Sequence, residues 1–250
     1  GGFTTVCGMA NTRPTVDTKA VLETVQDIAS HQDSIHVYSL AAITQGLQGN
    51  QLVQMGELSD AGAVGFSDDG IAVASSVMMR HALEYARRFN RPVANHCEDP
   101  DLTAGASMNE GPISMRLGIA ATPVQAEEMM IARDLALLEL TGSRYHALHV
   151  SAARSVELIR LAKERGLAVT AEVTPHHLTL TDEIVAGRWD PMSASLRPFD
   201  PVTKVNPPLR ARGDVEALRA GLVDGTIDCI GTDHAPHANH EKRLDYAAAA

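Results

Sequence analysis

Short apolar runs alternate along the chain with longer segments in which apolar residues recur every three or four positions. The runs are "TTVCGM" (4–9), "IHVYSLAAI" (35–43), "AVGFS" (63–67), "PVANHC" (92–97), "YHALHV" (145–150), "AVTAEV" (168–173) and "DCIGTD" (228–233). Runs of this length bounded by turn residues predict buried strands. Between them, 17–32 carries Ala20, Val21, Val25 and Ile28 at helical spacing, and comparable patterns cover 51–62, 75–89, 122–141, 154–165 and 212–223. Ser75 or Ser76 stands where a helix cap is needed; Pro123 sits near the start of the 122–141 helix and Gly142 just beyond its end. A polar loop is predicted between the run at 92–97 and that helix.

Strands that alternate with helical segments imply βαβ units and a mostly parallel sheet. An open doubly wound sheet and a (β/α)8 barrel both satisfy the pattern. The chain has no GxGxxG and no GxxxxGK[ST] phosphate loop, which weakens the first. Its polar residues gather at the C-terminal ends of the runs, where barrel enzymes keep their chemistry, which favours the second. The expected class is therefore α/β, a TIM-type (β/α)8 barrel occupying 1–250 as one domain and lacking at least its first strand.

Composition changes this picture little. The 250 residues are 44% hydrophobic and 21% charged, enough for a sizeable core. A net charge of −10 argues against nucleic acid as a partner, and no apolar run approaches the roughly 20 residues of a membrane span. No signal peptide is evident, so a cytoplasmic location is expected. Cys7, Cys97 and Cys229 form no CxxC pair and read as buried free thiols. The chain starts "GGFTTV" without a methionine and stops at "LDYAAAA", so it is expected to be a piece of a longer protein.

The run ends supply the candidate chemistry. In order they carry Asn11; Asp68 and Asp69; His96 with Glu98 and Asp99; His149; His176 and His177; and Asp233, His234 and His237. Any one of these has an ordinary explanation, such as a turn signal in Asp68-Asp69-Gly70 or a hydrogen-bonded surface histidine. In a barrel, however, strand ends point towards a common centre. His96, His149, Asp69 and Asp233 would then lie within reach of one another, and imidazoles with carboxylates are the donors a Zn²⁺-type ion takes. Such an ion activates water near pH 7, and a neighbouring carboxylate can carry its proton.

Taken together, "GFTTVCGMANTRP", "GFSDDG", "NHCED", "LHVS", "AEVTPHHL", "KVNPPLR" and "DGTIDCIGTDHAPH" resemble dihydroorotase of the bacterial class I type, in the amidohydrolase superfamily of metal-dependent barrels. The resemblance runs from Gly2 to about Lys242. It implies metal ligation by Asp69, His96, His149 and Asp233, with Asp233 also the catalytic acid/base. It implies substrate binding by Asn11, Asn206 and His237, and one or two Zn²⁺ ions per subunit. The implied reaction interconverts N-carbamoyl-L-aspartate and (S)-dihydroorotate in pyrimidine synthesis. A homodimer and a complex with aspartate transcarbamoylase are the implied assemblies.

Hydantoinases and allantoinases often use a carboxylated lysine where this chain has "VGFSDDG", which offers no lysine. An inactive subunit that scaffolds the transcarbamoylase is the other alternative; the four intact ligand positions weigh against it. Departures from the family pattern are Ala10 in place of proline, Ala152 in place of threonine, and a long 188–203 segment that reads as a surface insertion or a lid. His176 and His177 match "TPHH" and are expected to be supporting residues. The family's first strand, with an HxH pair and an arginine, and its closing strand fall outside the sequence, so the piece alone is expected to be inactive.

Overall fold

The computed structural model describes residues 2–32, 35–187 and 196–250. In chain order the elements are β1 (Thr5–Gly8), α1 (Lys19–Ser30), β2 (His36–Ser39), α2 (Met55–Asp60), α3 (Ser76–Arg87), β3 (Val93–Asn95), α4 (Pro100–Thr103), β4 (Met108–Asn109), α5 (Pro112–Leu117), β5 (Ala121–Thr122), α6 (Gln125–Thr141), β6 (Tyr145–Ala147), α7 (Ala153–Glu164), β7 (Val169–Val173), α8 (Pro175–Thr179), α9 (Arg212–Val223) and β8 (Cys229–Ile230). Ser75 caps α3 by accepting the Met78 amide at 3.2 Å.

Contacts group these elements into two compact units. The first comprises residues 1–96, 133–147 and 165–169; the second comprises 97–132, 148–164 and 170–250.

The first unit is a run of parallel strands in chain order. β1 pairs with β2, the single residue Phe66 bridges Ala41 on one side and Val93 on the other, and β3 pairs with β6. The Tyr145 amide then donates to the Ala168 carbonyl at 3.0 Å, which carries the ladder to the start of β7. Helices α1, α2 and α3 bury Leu22, Met55, Leu58, Met79 and Leu83. Consecutive parallel neighbours joined by helices are the βαβ rhythm the sequence predicts.

In the second unit β7 pairs in parallel with β8, and β4 with β5. A cluster of Met108, Ile184, Val185, Leu209 and Tyr246 forms its local core.

Three expectations are corrected. The run at 63–67 is reduced to one bridge residue, Phe66, although the Val64 and Ser67 amides still reach the Ser39 and Ala41 carbonyls. The loop predicted after 97 contains α4, β4, α5 and β5, elements too short to show a period. The run at 228–233 is paired only over Cys229–Ile230 and is exposed, with Ile230 at 48%. Among the described residues β8 pairs with β7. Against expectation, Cys7 and Cys229 are exposed and only Cys97 is buried. No described helix is long and apolar enough to cross a membrane.

Candidate metal and substrate site

Asp68 and Asp69 have opposite fates at one turn. The Asp68 carboxylate is buried and accepts the Ile43 amide at 2.7 Å, the Thr44 amide at 3.0 Å and the Thr44 hydroxyl. Burial raises its pKa, against the pull of those hydrogen bonds. Its lone pairs are spent on backbone, so it holds the turn. Gly70 continues that turn at φ +83°, a conformation glycine adopts at no steric cost.

Asp69 is turned the other way. Its Oδ1 lies 3.9 Å from His96 Nδ1, and Asn11 Nδ2 donates to its backbone oxygen at 3.2 Å and its Oδ2 at 3.4 Å. Asn11, Asp69 and His96 follow β1, the Phe66 bridge and β3, three successive parallel segments of the first unit. A carboxylate beside an imidazole nitrogen, with His96 only 4% exposed, is a donor set that suits a borderline divalent ion.

His96 is held from behind. Adjacent strand residues point to opposite faces, so Asn95 turns away from the side His96 occupies. Asn95 Nδ2 donates to Asp134 Oδ2 on α6 at 2.8 Å, as does the Tyr145 hydroxyl at 2.8 Å, while Arg133 Nε donates to Asp134 Oδ1 at 2.8 Å. Asp134 is fully buried, and burial raises its pKa against the opposing Arg133 charge.

In the second unit His149 is 4% exposed, two residues past β6, with a backbone φ of +31°. Asp233 stands past the end of β8 in an exposed segment at φ +46°. The ladder stops where the Gly231 amide reaches the Val173 carbonyl at 3.1 Å. A Cβ at Gly231 would lie 2.5 Å from Glu172 Cδ, so a larger residue there would have to displace the Glu172 carboxylate. Half-buried His176 feels both residues: burial lowers its pKa most, Asp233 opposes that shift and His149 adds to it. Asn206, His234 and His237 are exposed, and His237 Nδ1 lies 3.7 Å from Glu241 Oε2. Asp99 caps α4, accepting the amides of Asp101 and Leu102.

His177 is structural. Its Nε2 is 3.0 Å from the Pro207 carbonyl oxygen, which can only accept, so Nε2 carries the proton. The Thr174 hydroxyl lies 2.7 Å from Nδ1 and donates to it. Burial first, then the neighbouring His176 and His149, push the imidazole pKa well below 6.5. A histidine depressed in the fold contributes stability that is complete above its unfolded value, near 6.5, and is lost as pH falls towards the folded value. Urea midpoints at pH 7.5 and 5 should therefore fall further in the wild type than in His177→Gln; parallel losses would contradict this.

The buried charged residues Glu127, Asp134 and Arg210 were not among the candidates read from the sequence. Both acids fall among the buried α6 residues Ala126, Met130, Ile131 and Leu138, so charged residues inside an apolar helical stripe were the available signal. Of the long 188–203 segment, 188–195 lies outside the described residues, and Pro201–Thr203 is a 3₁₀ turn.

The profile of the dihydro-orotase-like family matches residues 1–155. Dihydroorotase of Pelotomaculum thermopropionicum is 51% identical over 246 residues, 98% of this chain and 55% of the relative. That of Streptomyces coelicolor is 50% identical over 252 residues, 100% of this chain and 56% of the relative. The chain thus spans little more than half the length of the curated relatives it matches. Among solved structures, the L-hydantoinase (dihydropyrimidinase) of Arthrobacter aurescens aligns at a TM-score of 0.77 and 25% identity, over 97% of this chain and 52% of that one. A D-hydantoinase aligns at 0.74 and 22% identity, over 100% and 55%. The fold is the TIM-type barrel of the amidohydrolase kind, represented here in part. On the match to more than half of its length, the chain belongs to the dihydro-orotase-like family.

Proposed function

We propose that the full-length protein is a dihydroorotase, interconverting N-carbamoyl-L-aspartate and (S)-dihydroorotate in cytoplasmic pyrimidine synthesis. The observation that carries this reading is the Asn11–Asp69–His96 group, in which an aspartate, not a lysine, stands beside the histidine of "NHCED". Relatives at about 50% identity named dihydroorotase support it.

In this reading Asp69, His96, His149 and Asp233 hold the metal, zinc by resemblance, while Asn11, Asn206 and His237 bind substrate. The metal, when bound, supplies Lewis acidity and lowers the pKa of water. In the hydrolytic direction Asp233 accepts the proton of the attacking water and passes it to the ring nitrogen as the carbon–nitrogen bond breaks. In synthesis the same carboxyl group returns the proton to the departing water. Asp233 suits this role because it stands past the last ladder bond of β8, near His176. Asn11 and Asn206 orient the ring and carboxylate through their amide groups.

The chain passes between its two compact units five times, which supports reading 1–250 as part of one barrel domain. A homodimer and an aspartate transcarbamoylase complex belong to the proposal through the resemblance alone.

Rates on dihydroorotate, hydantoin and allantoin, taken side by side with the full-length protein, test the substrate class. The proposal expects kcat/KM for dihydroorotate to exceed the others at least 100-fold, about 3 kcal/mol of transition-state discrimination. A preference for hydantoin would replace it with the hydantoinase reading, and no turnover of any of the three would favour the scaffold.

A further inference from the structure

We propose that buried Glu127, acting with Ser151 and Arg210, is the positioning device for His149 and for the loop that carries Asn206; this rests on reading His149 as a metal ligand. The starting observation is the backbone of His149. His149 is a non-glycine residue at φ +31°, a conformation that persists only where its surroundings over-determine it. Those surroundings are specific. The Val150 amide donates to the Glu172 carbonyl at 2.9 Å. The next two amides turn onto one carboxylate: Ser151 N–H donates to both Glu127 oxygens at 3.0 and 3.1 Å, and Ala152 N–H to Oε1 at 3.0 Å. The Ser151 hydroxyl donates to the same group.

Glu127 is 1% exposed, and a carboxylate at that depth is tolerated only with such a set of donors. Opposite it lies Arg210, also 1% exposed, whose Nη2 is 3.9 Å from Glu127 Oε2. Arg210 Nε donates to Ser151 Oγ at 3.0 Å, and Nη1 to Asn109 Oδ1 at 3.1 Å and the Thr122 carbonyl at 3.4 Å. Asn109 in turn donates to Asp182, whose amide donates to the Arg210 carbonyl at 2.9 Å.

Arg210 stands four residues after Asn206 in "NPPLR". The Ser151 hydroxyl is therefore the link between the turn after His149 and the loop of Asn206. Packing alone would have been served by apolar residues at both buried positions. Three donors from one turn, making four hydrogen bonds to a single carboxylate, instead fix the direction of that turn, and a metal ligand needs its direction fixed.

The test measures zinc affinity by chelator competition on the full-length protein, at a temperature where every variant is folded. Glu127→Gln removes the charge, and Ser151→Ala removes only the linking hydroxyl should the first variant fold poorly. Both are expected to raise the zinc dissociation constant about 10- to 100-fold. Glu139→Gln, on the exposed face of α6 beside Arg165, is expected to leave it unchanged. Zinc affinity equal to wild type in both buried variants, whatever their melting temperatures, would overturn the inference. Dihydroorotate turnover by the wild type is read in the same preparation: tight zinc binding without turnover would sink the functional reading and leave the positioning role standing.

Discussion

Asp233→Asn in the full-length protein is expected to fold, to elute as the wild type does, and to lose turnover of dihydroorotate by about 10²- to 10⁴-fold, the usual contribution of a positioned acid/base group. The expectation separates chemistry from folding because of where Asp233 lies. It is exposed, stands past the last ladder bond of β8, and no buried network depends on its carboxylate among the described residues. Replacing its oxygen by an amide nitrogen therefore disturbs little packing but removes the only proton acceptor the mechanism assigns. Steady-state rates and urea midpoints measured together decide it. Full activity would refute the role of Asp233, and a collapsed midpoint would show that the group is structural after all.

Arg210→Met should produce the largest loss of stability. It leaves the carboxylate of Glu127 buried without its cation, and strips Ser151, Asn109 and Thr122 of a shared donor. Breaking one side of a buried pair in this way costs about 3–5 kcal/mol, whereas the same change at an exposed pair costs at most about 1 kcal/mol. Arg165→Met, at an ion pair with Glu139 that is roughly half exposed, is the matched comparison. Urea unfolding of both variants should show a large midpoint shift for Arg210→Met and almost none for Arg165→Met. Equal, small shifts would mean that the network contributes little to the fold.

Much of this was legible in the sequence. The parallel βαβ order follows from the alternation of apolar runs and helical segments; α1, α2, α3, α6 and α9 fall within the predicted ranges, and α7 starts one residue before its own. Of the candidate residues, Asn11, Asp69 and His96 come together in one unit, and His149 and Asp233 both act on His176 in the other. The rest needed coordinates for definite reasons. An apolar run says nothing about what covers it, so Cys7, Cys229 and Ile230 read as buried when they are exposed. Adjacent aspartates are equivalent as letters, and only the amides of Ile43 and Thr44 separate Asp68 from Asp69. Glu127 and Asp134 drew no notice within the predicted 122–141 helix, although each is the centre of a buried network.

We propose that a metal held through Asp69, His96, His149 and Asp233 drives hydrolysis of dihydroorotate by the full-length protein. The most direct measurement is turnover of dihydroorotate by the full-length protein before chelation, after chelation and after zinc is returned. Activity should disappear with the metal and come back with zinc. Turnover that survives complete removal of metal, or that never appears with zinc bound, would contradict it.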